Sequence, residues 1–354
     1  MSFSREEREK IKVKLIESIG ATELTGNFAP SAFAKRHNLS IQSVYRYLKQ
    51  LEEDGRIIIK RVGGKNEYKL TEIIYSFNYE LCGLSEDKVW RDSIHPLLDD
   101  MPVKAYKSSN YIFTEMLNNA IDHSDGTQVK ITVIKNSFKA AFSISDNGVG
   151  IFTKISDAMK LDEKRFAILE LAKGKFTTDP NSHTGEGIFF SSKAADLFAI
   201  FSDELMFVPI NKANAESKID SMVSDYTGSN LQKGTDILFV VQYNHSKTMK
   251  ELFDKYTEEP EHYGFTKTIV PVKLLEYGDD AALFTSRSQA KRLIVRFERF
   301  KHIVLDFDGV DEIGQGFADE IFRVFRCQHP EISLSSENCN EQVSYMINRV
   351  LKRD

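Results

Sequence analysis

Apolar residues recur at two different periods along this chain, and the switches between them mark its elements. In residues 6–19 the apolar positions Ile11, Val13, Leu15, Ile16 and Ile19 form the stripe of an amphipathic helix. Pro30 opens a short helix, Ser31 to His37, at the position where its missing N–H costs nothing. Asn38-Leu39 turns the chain, and the Ser40 hydroxyl is placed to cap the next helix, Ile41 to Glu53. Val44, Leu48 and Leu51 make the core side of that helix, and Gln42, Ser43, Tyr45, Arg46 and Lys49 show on the other side. Gly55 stops it. Two β-type runs follow, Arg56 to Arg61 and Glu67 to Leu70, joined by the turn Val62-Gly63-Gly64-Lys65, which predicts a hairpin.

Residues 76–100 read as a linking helix or two. Beyond them, helix and strand patterns surround a series of glycine motifs up to about residue 250, with strands at Lys139 to Ser145 and Ile237 to Val241 and a helix from Ile188 to Phe198. Thr257-Glu258-Glu259-Pro260-Glu261 is acidic, broken by proline, and reads as a linker. The last stretch contains a buried strand, Ile303 to Phe307, a turn at Asp308-Gly309-Val310-Asp311, and an amphipathic helix, Phe317 to Phe325. The expected division is therefore 1–75, linking helices over 76–100, a central domain over 101–250 and a third unit over 262–354.

Composition narrows the class without changing this picture. The 354 residues suit two or three domains, and 41% hydrophobic content can fill ordinary cores. The longest apolar runs, such as Ile57-Ile58-Ile59, fall far short of the ~20 residues of a membrane span. Met1 to Lys14 is dense in charge and has no apolar signal core, so a cytoplasmic location away from membranes is expected. Cys82, Cys327 and Cys339 are sparse, odd in number and unpaired in sequence, which argues against a disulfide framework or a zinc site. Residues 1–75 carry 14 basic against 10 acidic residues, whereas the remainder carries 33 against 42, so a polyanion would dock at the front.

Four segments carry the chemistry. In Phe113-Thr114-Glu115-Met116-Leu117-Asn118-Asn119-Ala120-Ile121-Asp122-His123-Ser124, the residues Phe113, Leu117, Ala120 and Ile121 make one helical face, and Glu115, Asn119 and Asp122 line another. A carboxylate and an amide one turn apart suit a water and Mg²⁺, which takes hard oxygen ligands. The second segment, Asp146-Asn147-Gly148-Val149-Gly150-Ile151, puts an aspartate at a strand end, able to accept from an exocyclic amine. The third, His183-Thr184-Gly185-Glu186-Gly187-Ile188, leads from the polar loop Phe176 to Asn181 into a helix. Backbone N–H groups at that start suit phosphate, and the loop could act as a lid. The fourth, Lys233-Gly234-Thr235-Asp236, places a hydroxyl before a strand.

In this order and spacing, the four segments resemble the N, G1, G2 and G3 boxes of the gyrase, heat-shock chaperone, histidine kinase and mismatch-repair ATPase superfamily. The resemblance implies a Bergerat-type α/β sandwich with a mixed sheet, binding ATP with Mg²⁺. It makes Glu115 the general base, Asn119 the Mg²⁺ ligand, Asp146 the adenine-reading aspartate and Thr235 an adenine-side hydroxyl. Gly148, Gly150, Gly185 and Gly187 become the close-approach glycines, with Thr184 beside them and Asn118 and Asp122 in support. No lysine can be assigned to the γ-phosphate, and Lys173 and Lys175 read as solvated. None of the eight histidines has the context of a phosphoacceptor, which argues against a two-component sensor.

The front segment resembles winged helix-turn-helix regulators, which implies major-groove contacts from Gln42, Ser43, Tyr45, Arg46 and Lys49 and phosphate contacts from Lys60, Arg61 and Lys65. The same elements also serve protein contacts in place of DNA. The back resembles STAS domains over about 40 residues, although its loop Glu312-Ile313-Gly314-Gln315-Gly316 lacks the hydroxyl that is phosphorylated in anti-sigma antagonists, so a packing or dimerisation module is preferred. The fold class expected is α+β multidomain: winged helix, ATPase sandwich, small STAS-like α/β domain. The expected function is an ATP-binding, ATP-hydrolysing regulator that couples nucleotide state to duplex DNA. The alternatives are a serine/threonine protein kinase of the anti-sigma-factor type with a protein partner, and an ATP-sensing scaffold. ATPases of this superfamily often act as dimers, which leaves a homodimer open.

Overall fold

The computed structural model describes residues 4–22, 28–176, 185–209, 233–257, 265–276 and 284–352. Its front unit consists of α1 (Arg5–Thr22), α2 (Pro30–Arg36), α3 (Ile41–Glu53) and the antiparallel hairpin of β1 (Ile57–Val62) and β2 (Lys65–Leu70). Ser40 caps α3 as its position suggested, its side chain accepting from the Ser43 N–H at 3.2 Å. Leu15, Ile16, Ile19, Val44, Leu48 and Leu51 are buried together. Tyr47, which the spacing of apolar residues on α3 left out, is buried with them.

The expected linker begins differently. Residues 73–80 form a strand, β3 (Ile73–Glu80), paired antiparallel with β4 (Gln128–Lys135). Tyr75, Phe77 and Tyr79 alternate with more exposed positions, which is the period-two pattern of a half-covered strand. Only then do helical turns appear, α4, running Glu86–Val89, Trp90–Ile94 and His95–Leu97. The central sheet therefore starts upstream of residue 101, in the order β3-β4-β5-β8-β6-β7.

The other strands of that sheet are β5 (Lys139–Asp146), β6 (Leu197–Ser202), β7 (Leu205–Phe207) and β8 (Thr235–Gln242). Every pairing is antiparallel, so the expectation of a mixed sheet is corrected. The helices α6 (Ile151–Met159), α7 (Phe166–Lys173) and α8 (Gly187–Ala194) carry the chain from β5 to β6. These two strands run in the same direction, but β8 lies between them and opposes both. The helix expected over Ile188 to Phe198 ends at Ala194, and Leu197 and Phe198 open β6. All six residues of β6 are buried, and such a run has no period by which to tell strand from helix.

The long helix α5 (Val103–His123) lies on the sheet through Ile112, Phe113, Met116 and Leu117. A buried relay fastens it to the segments flanking β8 and β6: the Ser108 hydroxyl lies 3.1 Å from His245 Nε2, and His245 Nδ1 lies 2.9 Å from Asp196. Ser108 is 2% exposed, so this Ser–His–Asp arrangement pins elements together and offers no nucleophile to solvent.

The back unit has a parallel sheet in the order β11-β10-β9, from β9 (Lys267–Pro271), β10 (His302–Asp306) and β11 (Ser333–Glu337). Helices α9 (Met249–Tyr256) and α10 (Arg287–Ile294) precede β10. Helix α11 starts at Gln315–Asp319 and continues through a wider turn, Glu320–Phe325, to Arg326–Gln328; α12 is Glu341–Leu351. One continuous core of buried residues extends from Leu81 to Val350, so the middle and back units share packing. Residues 258–264, most of the expected linker, lie outside the described residues. Among the described residues no helix is long and apolar enough to cross a membrane.

Candidate nucleotide site

Between α5, the end of β5 and the start of α8 lies a pocket that is open on one side. Its wall includes Glu115, Asn119, Asp146, Gly150, Gly185, Gly187 and Thr235, so parts of all four motifs reach one cavity. Gly148 and Asp122 are absent from that wall, and Asp122 is exposed. The wall follows the ridge Glu115, Asn119, His123 up α5, in steps of four, leaving Asp122 to one side. Thr184 lies outside the described residues.

Asp146 ends β5 with its carboxylate held from two sides. Its Oδ1 accepts from the Gly148 N–H at 2.8 Å and the Thr235 N–H at 3.3 Å. Burial nevertheless pushes its pKa up to about 6, because the charged form loses water. The Thr235 hydroxyl accepts from the Ile151 N–H at 3.0 Å, tying the start of β8 to the start of α6. Gly148 acts through contact with α5: a Cβ there would collide with the Ser124 carbonyl, so only glycine allows the loop to close on the helix end. Asn147 supports the same closure, its Oδ1 accepting from the N–H groups of Thr127 and Gln128 at 2.8 and 3.0 Å.

At the other end, Gly187 begins α8 directly against the Glu115 carboxylate, which would have to shift to admit a Cβ. Asn119 Nδ2 is buried and has no hydrogen-bond partner among the described residues. A buried, unsatisfied amide costs about 1–3 kcal/mol, and such a group on a pocket wall is suited to a ligand that completes it. Glu186, between the two glycines, is half-buried, and burial raises its pKa, with Lys175 opposing and Glu115 reinforcing the shift.

Other wall residues were not singled out by the motifs. Lys154 lines the pocket, donating to the His123 carbonyl at 2.5 Å and pairing with Asp125 at 2.7 Å. Phe176, Leu171 and Gly174 complete the side facing α7. Lys173 and Lys175 are not solvated as expected. Lys173 is fully buried against Glu170 at 2.5 Å, and burial lowers its pKa to about 8. The Lys175 ammonium lies over the rings of Phe265 and Phe300, at 5.5 and 5.1 Å. Apolar positions after Phe265, far along the chain, supply these surroundings, and no local pattern signals them.

Residues 108–201 match the family of histidine kinase-, DNA gyrase B- and HSP90-like ATPases. Residues 289–344 match a family of STAS-like domains of unknown function. The chain thus contains an ATPase domain of the gyrase, chaperone and histidine kinase type, followed by a STAS-like domain. No curated protein matches the chain. The first match spans the α5 stripe, the Asp146 strand end and the start of α8, and ends in β6.

On the front unit, Gln42, Tyr45, Arg46 and Lys49 project from α3 into solvent, and Lys60, Arg61 and Lys65 are exposed on the hairpin. Ser43 is only half-exposed, because its hydroxyl accepts from Ser40 at 2.9 Å within the cap. Arg46 leans over the Tyr47 ring at 5.1 Å, and Lys49 is 3.8 Å from Glu53.

Proposed function

We propose that this protein is an ATP-dependent regulator in which nucleotide state in the central pocket changes duplex DNA binding by the front unit. The reading rests chiefly on the convergence of Glu115, Asn119, Asp146 and Thr235 on one cavity whose wall contains an unpartnered buried amide. Asp146, as a buried carboxylate, accepts from the exocyclic amine of adenine, with Thr235 beside it. Phosphates lie toward Gly185 and Gly187, at the start of α8, which has no side-chain cap among the described residues. Asn119 would hold Mg²⁺ through its amide oxygen, and the ion would supply positive charge against phosphate. Glu115 takes a proton from the attacking water, so hydrolysis depends on that carboxylate. Glu186 keeps a second carboxyl near, and its raised pKa follows from their shared burial.

The front unit is read as a winged helix: α3 enters the major groove with Gln42, Tyr45, Arg46 and Lys49, and the hairpin sets Lys60, Arg61 and Lys65 on phosphates. Ser43 serves the cap and contributes less. The test is ATP binding and phosphate release by wild type and Glu115→Ala, with and without random duplex DNA over a salt series. Binding that persists while release disappears in the variant supports an ATPase. A log–log salt slope that shrinks in Lys60→Ala and Arg61→Ala supports phosphate contacts. Loss of ATP binding in neither wild type nor Asp146→Asn would remove the placement of the site. Transfer of label from ATP to another protein would instead favour the kinase reading.

A further inference from the structure

The part of the pocket wall formed by Gly174 and Phe176, with Lys175 between them, is held from outside the matched ATPase segment. Gly174 and Lys175 both have left-handed backbones, φ 81° and 52°, which for lysine is a strained conformation that its surroundings must maintain. Those surroundings come from residues 265–300. Arg296 donates to the Gly174 carbonyl at 2.8 Å and to Glu170 at 2.9 Å, and its guanidinium lies 5.3 Å from the centre of the Phe176 ring. Arg299 donates to the Lys175 carbonyl at 3.0 Å, and Lys175 Nζ returns a bond to the Arg299 carbonyl at 2.9 Å. Arg296 is itself left-handed, φ 65°, so strain is present on both sides of the contact. Gly174 and Phe176 line the pocket, and Gly185 abuts the Phe176 backbone.

The geometry points to Arg296 and Arg299 as positioning residues for nucleotide binding, acting through the backbone of Gly174–Phe176. This rests on the reading of the pocket as an ATP site. Neither arginine lines the pocket. Their action is to fix two carbonyls whose orientation sets where Phe176 stands. By linkage, a nucleotide that prefers this wall tightens the Arg296–Arg299 segment to the same degree. The back unit thereby becomes part of the nucleotide-binding machinery, and a change in it would be read as a change in affinity.

Calorimetric titration of the full chain with ATP and Mg²⁺ tests this, on wild type, Arg299→Ala, Arg299→Lys, Arg296→Lys and the exposed control Arg349→Ala. Arg299 is exposed, so its removal leaves the core intact. Arg299→Ala should weaken ATP binding about tenfold, the scale of one charge-assisted hydrogen bond. Arg299→Lys should recover part of that loss, and Arg349→Ala should match wild type. Added ATP should also slow amide exchange over residues 296–300 in wild type and not in Arg299→Ala, a response that a merely structural arginine would not give. Unchanged affinity in both Arg299→Ala and Arg296→Lys, with wild type binding ATP, overturns the inference and leaves the site reading standing. Failure of wild type to bind ATP overturns both.

Discussion

The middle unit meets its two neighbours differently: through a single apolar ring at the front, and at the back through a shared apolar core that also contains a buried ionic network. At the front, the turn between β4 and β5 inserts one ring, Phe138, into the core of the helical unit, where it is 7% exposed. Gly20 of α1 faces that ring so closely that a side chain there would collide with it. Asn136 shapes the turn, its Oδ1 accepting from the N–H groups of Phe138 and Lys139 at 2.9 and 3.0 Å. At the back, Glu170 lies between two buried cations, Lys173 at 2.5 Å and Arg296 at 2.9 Å. Lys173 spreads its remaining charge onto the carbonyls of Arg292 and Val295, at 3.3 and 3.0 Å. An apolar plug is non-directional and transmits position. A buried ionic network is directional and fails when one member leaves. The back seam also touches the pocket wall, whereas Phe138 is not part of it. A change of nucleotide state should therefore be felt first at the back, and reach the front only as movement of the sheet as a whole.

The largest expected effect comes from breaking the ionic seam. Glu170→Ala leaves Lys173 and Arg296 buried without a counter-charge and should cost about 3–5 kcal/mol, read as a lowered denaturation midpoint. If the two cations instead relax into water, the loss falls below ~1 kcal/mol and the contrast between the seams disappears. Phe138→Ala should cost about 3 kcal/mol by emptying the front core, and should separate the unfolding of residues 4–70 from the rest, with ATP affinity unaltered. A fall in affinity with Phe138→Ala would mean that the front seam also senses the pocket.

Asp146→Asn exchanges the anionic acceptor for a group that presents N–H donors, and should weaken ATP binding by about 10- to 100-fold in a calorimetric titration. A smaller shift follows from pH. Burial raises Asp146 from 3.8 to about 6, so it protonates as pH falls through that value and its acceptor role fades. ATP affinity should drop severalfold from pH 7 to pH 5. Stability without nucleotide changes in the opposite sense, because an acid raised in the folded state contributes most below its unfolded value and loses that contribution as pH rises from about 4 to 6. Opposite slopes for affinity and for this group's share of stability are the signature to look for. The least effect, about 1 kcal/mol, is expected for Ser40→Ala, which removes the cap of α3 and leaves both seams alone.

Much of the front unit was legible because its signals are local. Proline at a helix start, serine at a cap and paired glycines in a turn act within a few residues, and α3 and the hairpin appear where those residues put them. The candidate site was legible for a related reason: Glu115 and Asn119 share a face of one helix, so their spacing alone brings them together. Asp122 stands off the pocket wall because a helical stripe has width, and only the neighbouring elements decide which edge of it faces a cavity. Strand β3 was missed through composition: Tyr75, Phe77 and Tyr79 alternate with polar residues next to a hairpin, and the partners that make them a sheet edge, Val133, Ile131 and Val129, lie far along the chain.

By itself, the sequence determined the periods, the caps and turns, and the order of four motifs that place a carboxylate, an amide and glycines around one pocket. Each depends on neighbours within a turn or two, where covalent geometry fixes the distances. The tertiary structure alone decided that β8 inserts between β5 and β6, that Lys173 is buried in place of solvated, and that arginines more than 100 residues downstream hold the pocket wall. Those outcomes depend on which surfaces meet once the core has formed, and the energy that selects them is shared among residues that carry no mark of one another along the chain.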